Sequence, residues 1–429
     1  MKFYSTNHKS AHVTFRDAVI AGQAPDGGLY FPEEIPAFPF DILKLPKDQL
    51  AYEVMRPYAG GEIPADILEK IAAEAVDFPF PLEKITEQIF TLELFHGPTL
   101  AFKDVGARLI SRTLGFFNQG ESKKVTVLVA TSGDTGGAVA NGFEDVEGVE
   151  VIILYPSGKV SPVQEFQLTT CGANIHALEV LGDFDACQAM VKKAFLDPDL
   201  QTKYLLTSAN SINVARWLPQ QFYYLFALQQ WPQDIPPVIS VPSGNFGNIC
   251  AGLLAWKSGL PVKHFIAACN ENNAIPQFLS SGEMPDQPTI PTLSNAMDVA
   301  KPSNFIRIVE LFDHNIPALK KMLSADSIND ATTRQTISRI YRDHRYTLDP
   351  HGAVGFAALE NYLHNDHSAK GFFLETAHPV KFPGVVAEMT GKDPDIPGRL
   401  KPILSKEKRS TVLEASFDQL KDHLMERRD

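Results

Sequence analysis

The chain is poor in cysteine, has no excess of basic residues, and contains no long apolar run. Only four cysteines occur in 429 residues, Cys171, Cys187, Cys250 and Cys269, widely spaced and without a Cys-x-x-Cys pair. That spacing argues against a disulfide framework or a zinc site and favours a reducing compartment, so no metal is expected. Lysine and arginine total 39 against 51 aspartate and glutamate, giving a net charge of −12 and a pI near 5.5. A general nucleic-acid binder needs a basic face, so no nucleic-acid partner is expected. No stretch reaches the length of a membrane span, and Met1 to His8 has no apolar signal core. A cytoplasmic location without a membrane partner is the expectation. No Gly-Lys-Ser/Thr phosphate loop and no Gly-x-Gly-x-x-Gly after a first strand occurs, which weakens a kinase, ATPase or dinucleotide reading.

What remains is an ordinary globular composition, 44% hydrophobic and 21% charged, long enough for two or three domains. Residues 1–90 read as a distinct opening section, with a tight turn at Asp26-Gly27-Gly28, helix-like pieces at Asp48 to Arg56 and Ala65 to Ala75, and an extended Phe78-Pro79-Phe80-Pro81 linker. Strand and helix signals then alternate. Val125 to Ala130, Val151 to Tyr155, Ile175 to Val180, Val238 to Val241, Phe265 to Ala268 and Gly371 to Glu375 are short apolar runs, each followed by a helical pattern or a polar turn. Such alternation predicts parallel sheets covered by helices. A long helix is predicted over Val214 to Gln230, residues 303–363 read as mostly helical, and the charged tail from Lys401 reads as a solvated helical face.

Lys103 stands among Phe95-His96-Gly97-Pro98-Thr99-Leu100-Ala101-Phe102, just before a helical segment from Val105 to Phe116. Apolar surroundings disfavour the ammonium form and free the amine as a nucleophile, able to form a Schiff base with a carbonyl cofactor such as pyridoxal phosphate. The plain alternative is a lysine snorkelling to water from a helix start. Three strand-to-helix turns share one design: Ser132 to Gly137, Ser208 to Asn213, and Ser243 to Asn248. In parallel α/β sheets such turns lie where ligands bind, and N–H groups at a helix start attract anions.

Pro98-Thr99-x-x-Phe102-Lys103-Asp104, Thr131-Ser132-Gly133-Asp134-Thr135-Gly136 and Ser243-Gly244-Asn245-Phe246-Gly247-Asn248 occur in that order. With Asp26 to Pro32, Leu293 to Val299 and Glu375-Thr376-Ala377-His378-Pro379, they resemble the threonine synthases, in the branch with a long N-terminal domain, among pyridoxal-phosphate enzymes of the tryptophan synthase β-subunit fold. The resemblance covers nearly the whole chain. It implies an α/β fold with two parallel-sheet domains flanking a pyridoxal phosphate site, plus an N-terminal domain. The divisions implied are 1–90, a smaller 91–210 domain carrying the lysine, and a larger 211–429 domain.

The implied reaction converts O-phospho-L-homoserine and water into L-threonine and phosphate. Lys103 would carry the cofactor and move protons. Ser243, Gly244, Asn245, Phe246, Gly247 and Asn248 would cradle the cofactor phosphate, and Thr376 would offer its hydroxyl to the pyridine nitrogen. Thr131, Ser132, Gly133, Asp134 and Thr135 would hold the substrate carboxylate. Ser211 and Arg216 would take the substrate phosphate, and Asn213 would also bind substrate. Many relatives on this fold carry asparagine where this chain has Asp134; an ionised aspartate cannot donate to the cofactor's ring oxygen, which leaves the role of Asp134 open. The roles of His96, His351, His378, Asn295 and Asp298 are open too, as is the choice between monomer and homodimer. Two other readings stand beside this one. A β-eliminase or β-replacement enzyme on serine or threonine would need no second phosphate site. A non-catalytic ligand-binding protein would leave Lys103 structural.

Overall fold

The structure, a computed structural model, describes residues 1–121 and 123–427. Besides a short antiparallel pair of Phe3–Ser5 with Tyr30–Pro32, its apolar strand runs form two larger sheets. One has six strands in the order Leu323–Ser327, His264–Cys269, Val238–Pro242, Gly371–Glu375, Ile89–Glu93, Leu82–Lys84, all parallel except the last pair. The other has five parallel strands in the order Thr411–Glu414, Ile175–Leu181, Val149–Pro156, Val125–Ala130, Leu205–Thr207. Every residue of Val125–Ala130 is buried, as a central parallel strand covered on both faces requires.

The divisions at 90 and 210 do not follow these sheets. Ile89–Glu93 pairs with Gly371–Glu375 in the larger sheet, and Thr411–Glu414, from the tail expected to be a solvated helical face, closes the smaller sheet beside Ile175–Leu181. Strand pairing joins partners far apart in sequence, which a linear reading cannot detect. The tail is therefore partly core: Leu413, Leu420 and Leu424 pack against Leu178 and Val180. Its last two residues lie outside the described residues. A strand at Leu323–Ser327 also interrupts the stretch expected to be mostly helical.

The opening section is not a separate body. Phe3, Phe15 and Tyr58 share one buried cluster with Val127, Trp217 and Phe265. A buried arginine fastens it. Arg307 donates to the Tyr30 carbonyl through Nε (3.1 Å) and Nη2 (2.9 Å), and to the carbonyls of Ser211 and Ile212, while its guanidinium lies 4.4 Å from the Trp217 ring centroid. Burial pushes its pKa down to about 9, still charged at neutral pH, and each donor of the fork meets an acceptor.

The turns after Val125–Ala130, Leu205–Thr207, Val238–Pro242 and Gly371–Glu375 all open into one cavity of about 1640 Å³, at the carboxyl ends of the strands. Gly352 secures one wall. A Cβ there would lie 1.5 Å from Glu375 Oε2, so the helix Pro350–Asn365 can pass the strand end only without a side chain at this point. Gly352→Ala should destabilise the fold by about 1–3 kcal/mol, the usual cost of overpacking. Gly384→Ala, where an added Cβ meets nothing within 4 Å, is the control, and the expected result is a lower Tm for Gly352→Ala alone.

Candidate active site

Lys103 is the first residue of the helix Lys103–Phe117, two residues earlier than the sequence pattern suggests. The segment before it is laced to the end of the strand Gly371–Glu375. Leu94 N–H donates to Glu375 O (2.9 Å), His378 N–H to Leu100 O (3.0 Å), and Phe102 N–H to Thr376 O (2.9 Å). Leu100 adopts φ 61°, a left-handed conformation costly for leucine, at the point where this lacing turns into the helix. Asp104, buried, accepts from Thr99 N–H (2.9 Å) and from the Thr99 hydroxyl; a Cβ on Gly97 would lie 2.3 Å from its carboxylate, so glycine is needed there. The Tyr223 hydroxyl donates to the Phe102 carbonyl. Lys103 and Thr376 thus line one cavity, and the bridge between Ala101 and Ala377 lies between their segments.

The Lys103 side chain is 17% exposed, and its pKa is lowered, chiefly by burial. Its nearest carboxylate is Asp134, whose Oδ2 is 3.9 Å from Nζ. Asp134 is the first residue of the helix Asp134–Phe143, which begins inside the turn read as Ser132 to Gly137. Its Oδ1 accepts from Lys381 Nζ (2.8 Å) and Gln164 Nε2 (2.9 Å). Burial alone would raise the Asp134 carboxyl; Lys381, Lys103 and Gln164 instead hold it well below the usual carboxylate range. Lys381 was not singled out from the sequence, although it sits among Pro379, Val380 and Phe382 in the kind of apolar setting that drew attention to Lys103. Gln164 forms a capping box with Ser161, its Oε1 accepting from Ser161 N–H, which leaves its Nε2 to donate to Asp134. Thr131, Ser132 and Thr135 line the cavity beside Asp134. Gly133 sits behind them at φ 135°, where a Cβ would meet the Gln164 amide at 2.5 Å.

The Ser243 to Asn248 turn ends the strand Val238–Pro242 and opens the eleven-residue helix Gly247–Lys257. Ser243 is committed to the fold: its N–H donates to Ala268 O (2.8 Å) and its hydroxyl to Val241 O (2.7 Å). The Asn245 side chain is occupied as well, donating to Ser211 Oγ (2.7 Å) and accepting from Ser303 N–H (2.6 Å). The N–H groups of Gly244 through Asn248, by contrast, donate to no group among the described residues, and the buried Asn248 Nδ2 has no partner. Gly244 packs so closely that a Cβ would lie 2.6 Å from Met297 Cα, and Phe246 adopts φ 59°. Five N–H groups left free at a helix start, in a loop held open by strained backbone, fit a phosphate group. With Lys103 for covalent attachment, and the Thr376 hydroxyl bound to no other described side chain, these residues fit pyridoxal phosphate.

The third turn differs from expectation. The predicted Val214 to Gln230 helix breaks at Pro219 into Val214–Trp217, a 3-10 turn Leu218–Gln220, and Gln221–Gln230. The four-residue first piece supplies little dipole. Asn213 caps it, accepting from Ala215 N–H (3.0 Å) and donating to Val19 O (2.8 Å) and Ser208 O (3.0 Å). Asn213 is therefore fully buried and engaged, and does not line the cavity. Ser211 lines it, with its hydroxyl accepting from Asn245 and from Asn304 Nδ2 (3.2 Å). Arg216 lines it too and is buried, with Nη1 lacking any partner. Burial pushes its pKa down to about 10, so it remains a cation, and an unpaired buried guanidinium nitrogen is costly unless an anion binds there.

The remaining candidates divide. His351 lines the cavity; its Nδ1 donates to Asp349 and its Nε2 accepts from Ala296 N–H (3.2 Å), which assigns the neutral tautomer. Asn295 and Asp298 line the same wall, and Asp298 is fixed by Thr292, Asn270 and Asn272. His378 caps the turn Pro379–Lys381 through Nδ1, with its pKa pushed down to about 4 by burial and then His96. His96 pairs with Glu93 (2.6 Å). Neither His96 nor His378 lines the cavity.

Residues 2–76, 78–372 and 352–424 match three families, described in turn as threonine synthase N terminus, pyridoxal-phosphate dependent enzyme, and threonine synthase, C-terminal. The chain is 43% identical to a threonine synthase of Serratia marcescens over 99% of both chains. Its fold superposes on the crystal structure of threonine synthase from Escherichia coli with a TM-score of 0.92 at 43% identity, covering 99% of each chain. It superposes on a pyridoxal-phosphate-bound threonine synthase from Brucella melitensis with a TM-score of 0.91 at 35% identity, over 99% of this chain and 98% of that one. A largely buried lysine, a loop of unpaired N–H groups and a likeness that runs the length of the chain converge: the chain belongs to the threonine synthase family of pyridoxal-phosphate-dependent lyases.

Proposed function

We propose that this chain converts O-phospho-L-homoserine and water into L-threonine and phosphate, using Lys103 as its catalytic residue. The observation that carries this reading is a second anion-accepting group in the cavity of Lys103: Arg216, buried with Nη1 unpaired, beyond the N–H groups of Gly244 to Asn248. A serine or threonine eliminase has one phosphate to hold; a phosphorylated substrate brings two. The net charge of −12 repels anions at long range, so such a local cation has to do the holding.

When bound, pyridoxal phosphate supplies an electron sink for bonds at the substrate's α-carbon. Around it, the N–H groups of Gly244 to Asn248 take the cofactor phosphate, and Thr376 offers a neutral hydroxyl where a carboxylate would favour a protonated ring. Burial disfavours the charged form of Lys103 Nζ, which would accept the α-proton, pass it on, and only then be free to accept a β-proton. Thr131, Ser132 and Thr135 orient the substrate carboxylate at the start of the helix Asp134–Phe143. Arg216 holds the phosphate before and after it leaves the γ-carbon, so that the released anion stays to accept a proton from the water adding at the β-carbon. Holding both reactants in one closed site is the source of rate here. The substrate is a small molecule. No helix among the described residues is long and apolar enough to cross a membrane; separately, four free cysteines fit a reducing, cytoplasmic setting.

Borohydride reduction of the holoenzyme followed by peptide mass analysis should place the cofactor on Lys103. Modification of another lysine, or none, would remove the central claim. For the substrate, a charge-assisted hydrogen bond is worth roughly 1.5–3 kcal/mol, so Arg216→Ala should lower kcat/KM for phosphohomoserine by about 10–150-fold. Arg216→Lys should recover part of that loss. Slow deamination of serine should hardly change, since serine has no phosphate to place. Equal loss of both activities would make Arg216 structural, and loss of neither would reopen the choice of substrate.

A further inference from the structure

A lysine with no contact to water is rare unless it is paired, and Lys381 is one, with its side chain 0% exposed. It lies in the 3-10 turn Pro379–Lys381, five residues after Thr376. Its Nζ donates to Asp134 Oδ1 at 2.8 Å, and the Asp134 side chain is itself only 3% exposed. The same carboxylate faces Lys103, but there the nearest approach is 3.9 Å, from Oδ2 to Nζ, beyond hydrogen-bond reach. Two lysine amines therefore share one buried carboxylate, unequally, and Gln164 takes a further position on Oδ1.

The inequality matters for chemistry. A lone carboxylate beside Lys103 would form a one-to-one ion pair with it, and a buried ion pair stabilises the ammonium, which has no lone pair to attack a carbonyl. We propose that Lys381 is a positioning residue that occupies Asp134 and so keeps Lys103 in its uncharged, nucleophilic form for cofactor capture. The other charged or titratable groups around Lys103 do not replace it. Asp104, on the same helix, is bonded to Thr99. Tyr223 donates to the Phe102 carbonyl, and Arg216, across the cavity, adds a second positive charge. Burial, then Lys381 and Arg216, lower the pKa of Lys103, and Asp134 alone opposes them. Taking away the Lys381 charge must then move the Lys103 pKa upward.

This inference rests on reading Lys103 as the attachment point, and one experiment separates the two. Apo-protein is mixed with pyridoxal phosphate across a pH series. Capture is followed by absorbance, trapped with borohydride, and located by peptide mass. Lys381→Met keeps the length of the stem and removes the charge. It should shift the midpoint of capture to higher pH by about one unit or more, which is tenfold slower capture on the acid side of the profile. Lys381→Met combined with Asp134→Asn should bring the midpoint back towards wild type, because the carboxylate left unpaired by the first change is gone. Lys381→Arg should keep the wild-type midpoint. Asp134→Asn alone should lower it, and serves as the deciding variant should Lys381→Met fail to fold, which its thermal melt will show. Capture at a different lysine would overturn the reading of Lys103 itself. Capture at Lys103 with an unmoved midpoint in Lys381→Met, or an equal shift in the single and double variants, would overturn the role of Lys381; in the fallback, so would an unmoved midpoint in Asp134→Asn.

Discussion

Three main-chain hydrogen bonds between residues 94–102 and 375–378 carry the site. They join segments about 280 positions apart, and everything chemical depends on where they put Lys103, Thr376 and Lys381. Side chains could not do this as well. A lysine stem has rotatable bonds to spend, and backbone pairing fixes the Cα from which it starts, so less disorder has to be removed when a ligand binds. The strain at Leu100 is the visible cost of that placement, held down by the pairing on either side.

The same economy shapes the loops. Ser243 and Asn245 look like ligand-binding residues but are spent on the protein: Ser243 closes the strand, while Asn245 braces Ser211 and Ser303. With those polar groups used up, the N–H groups of Gly244 to Asn248 are left as the free donors. Arg307 does a similar service further back, fixing the carbonyls of Ser211 and Ile212 so that the turn bearing Arg216 cannot drift. A preorganised anion site is built from groups that cannot turn to each other.

Much of this was legible in the sequence. Continuous apolar runs gave Val125–Ala130 and Gly371–Glu375 with their observed boundaries, because a strand buried on both faces has no other pattern to follow. Lys103 was visible as a lysine in an apolar stretch before a helix, and the Gly-rich turns as loops between strand and helix, whereas the roles of Arg216 and Thr376 came from the family resemblance. Three kinds of information were not. Pairing of Ile89–Glu93 and Thr411–Glu414 into sheets is set by partners far away in sequence. The break at Pro219 was readable, yet the apolar pattern from Val214 to Gln230 outweighed it. Asn213 looks like a ligand residue and is a helix cap, because both uses call for the same short amide.

Asp134 shows how far a single position can mislead. An asparagine there would carry a donor and an acceptor and need no counter-ion. An aspartate accepts only, and in a buried setting its charge has to be met by a cation. The cation at hand was Lys103, which the chemistry requires uncharged. The fold resolves the conflict by bringing in a second lysine, from a turn anchored by the same strand end that carries Thr376, at 2.8 Å where Lys103 is held at 3.9 Å. Asp134 and Lys381 are therefore to be read together, as one neutral unit doing the positional work of an amide. The choice of acid at 134 makes physical sense only with the base at 381.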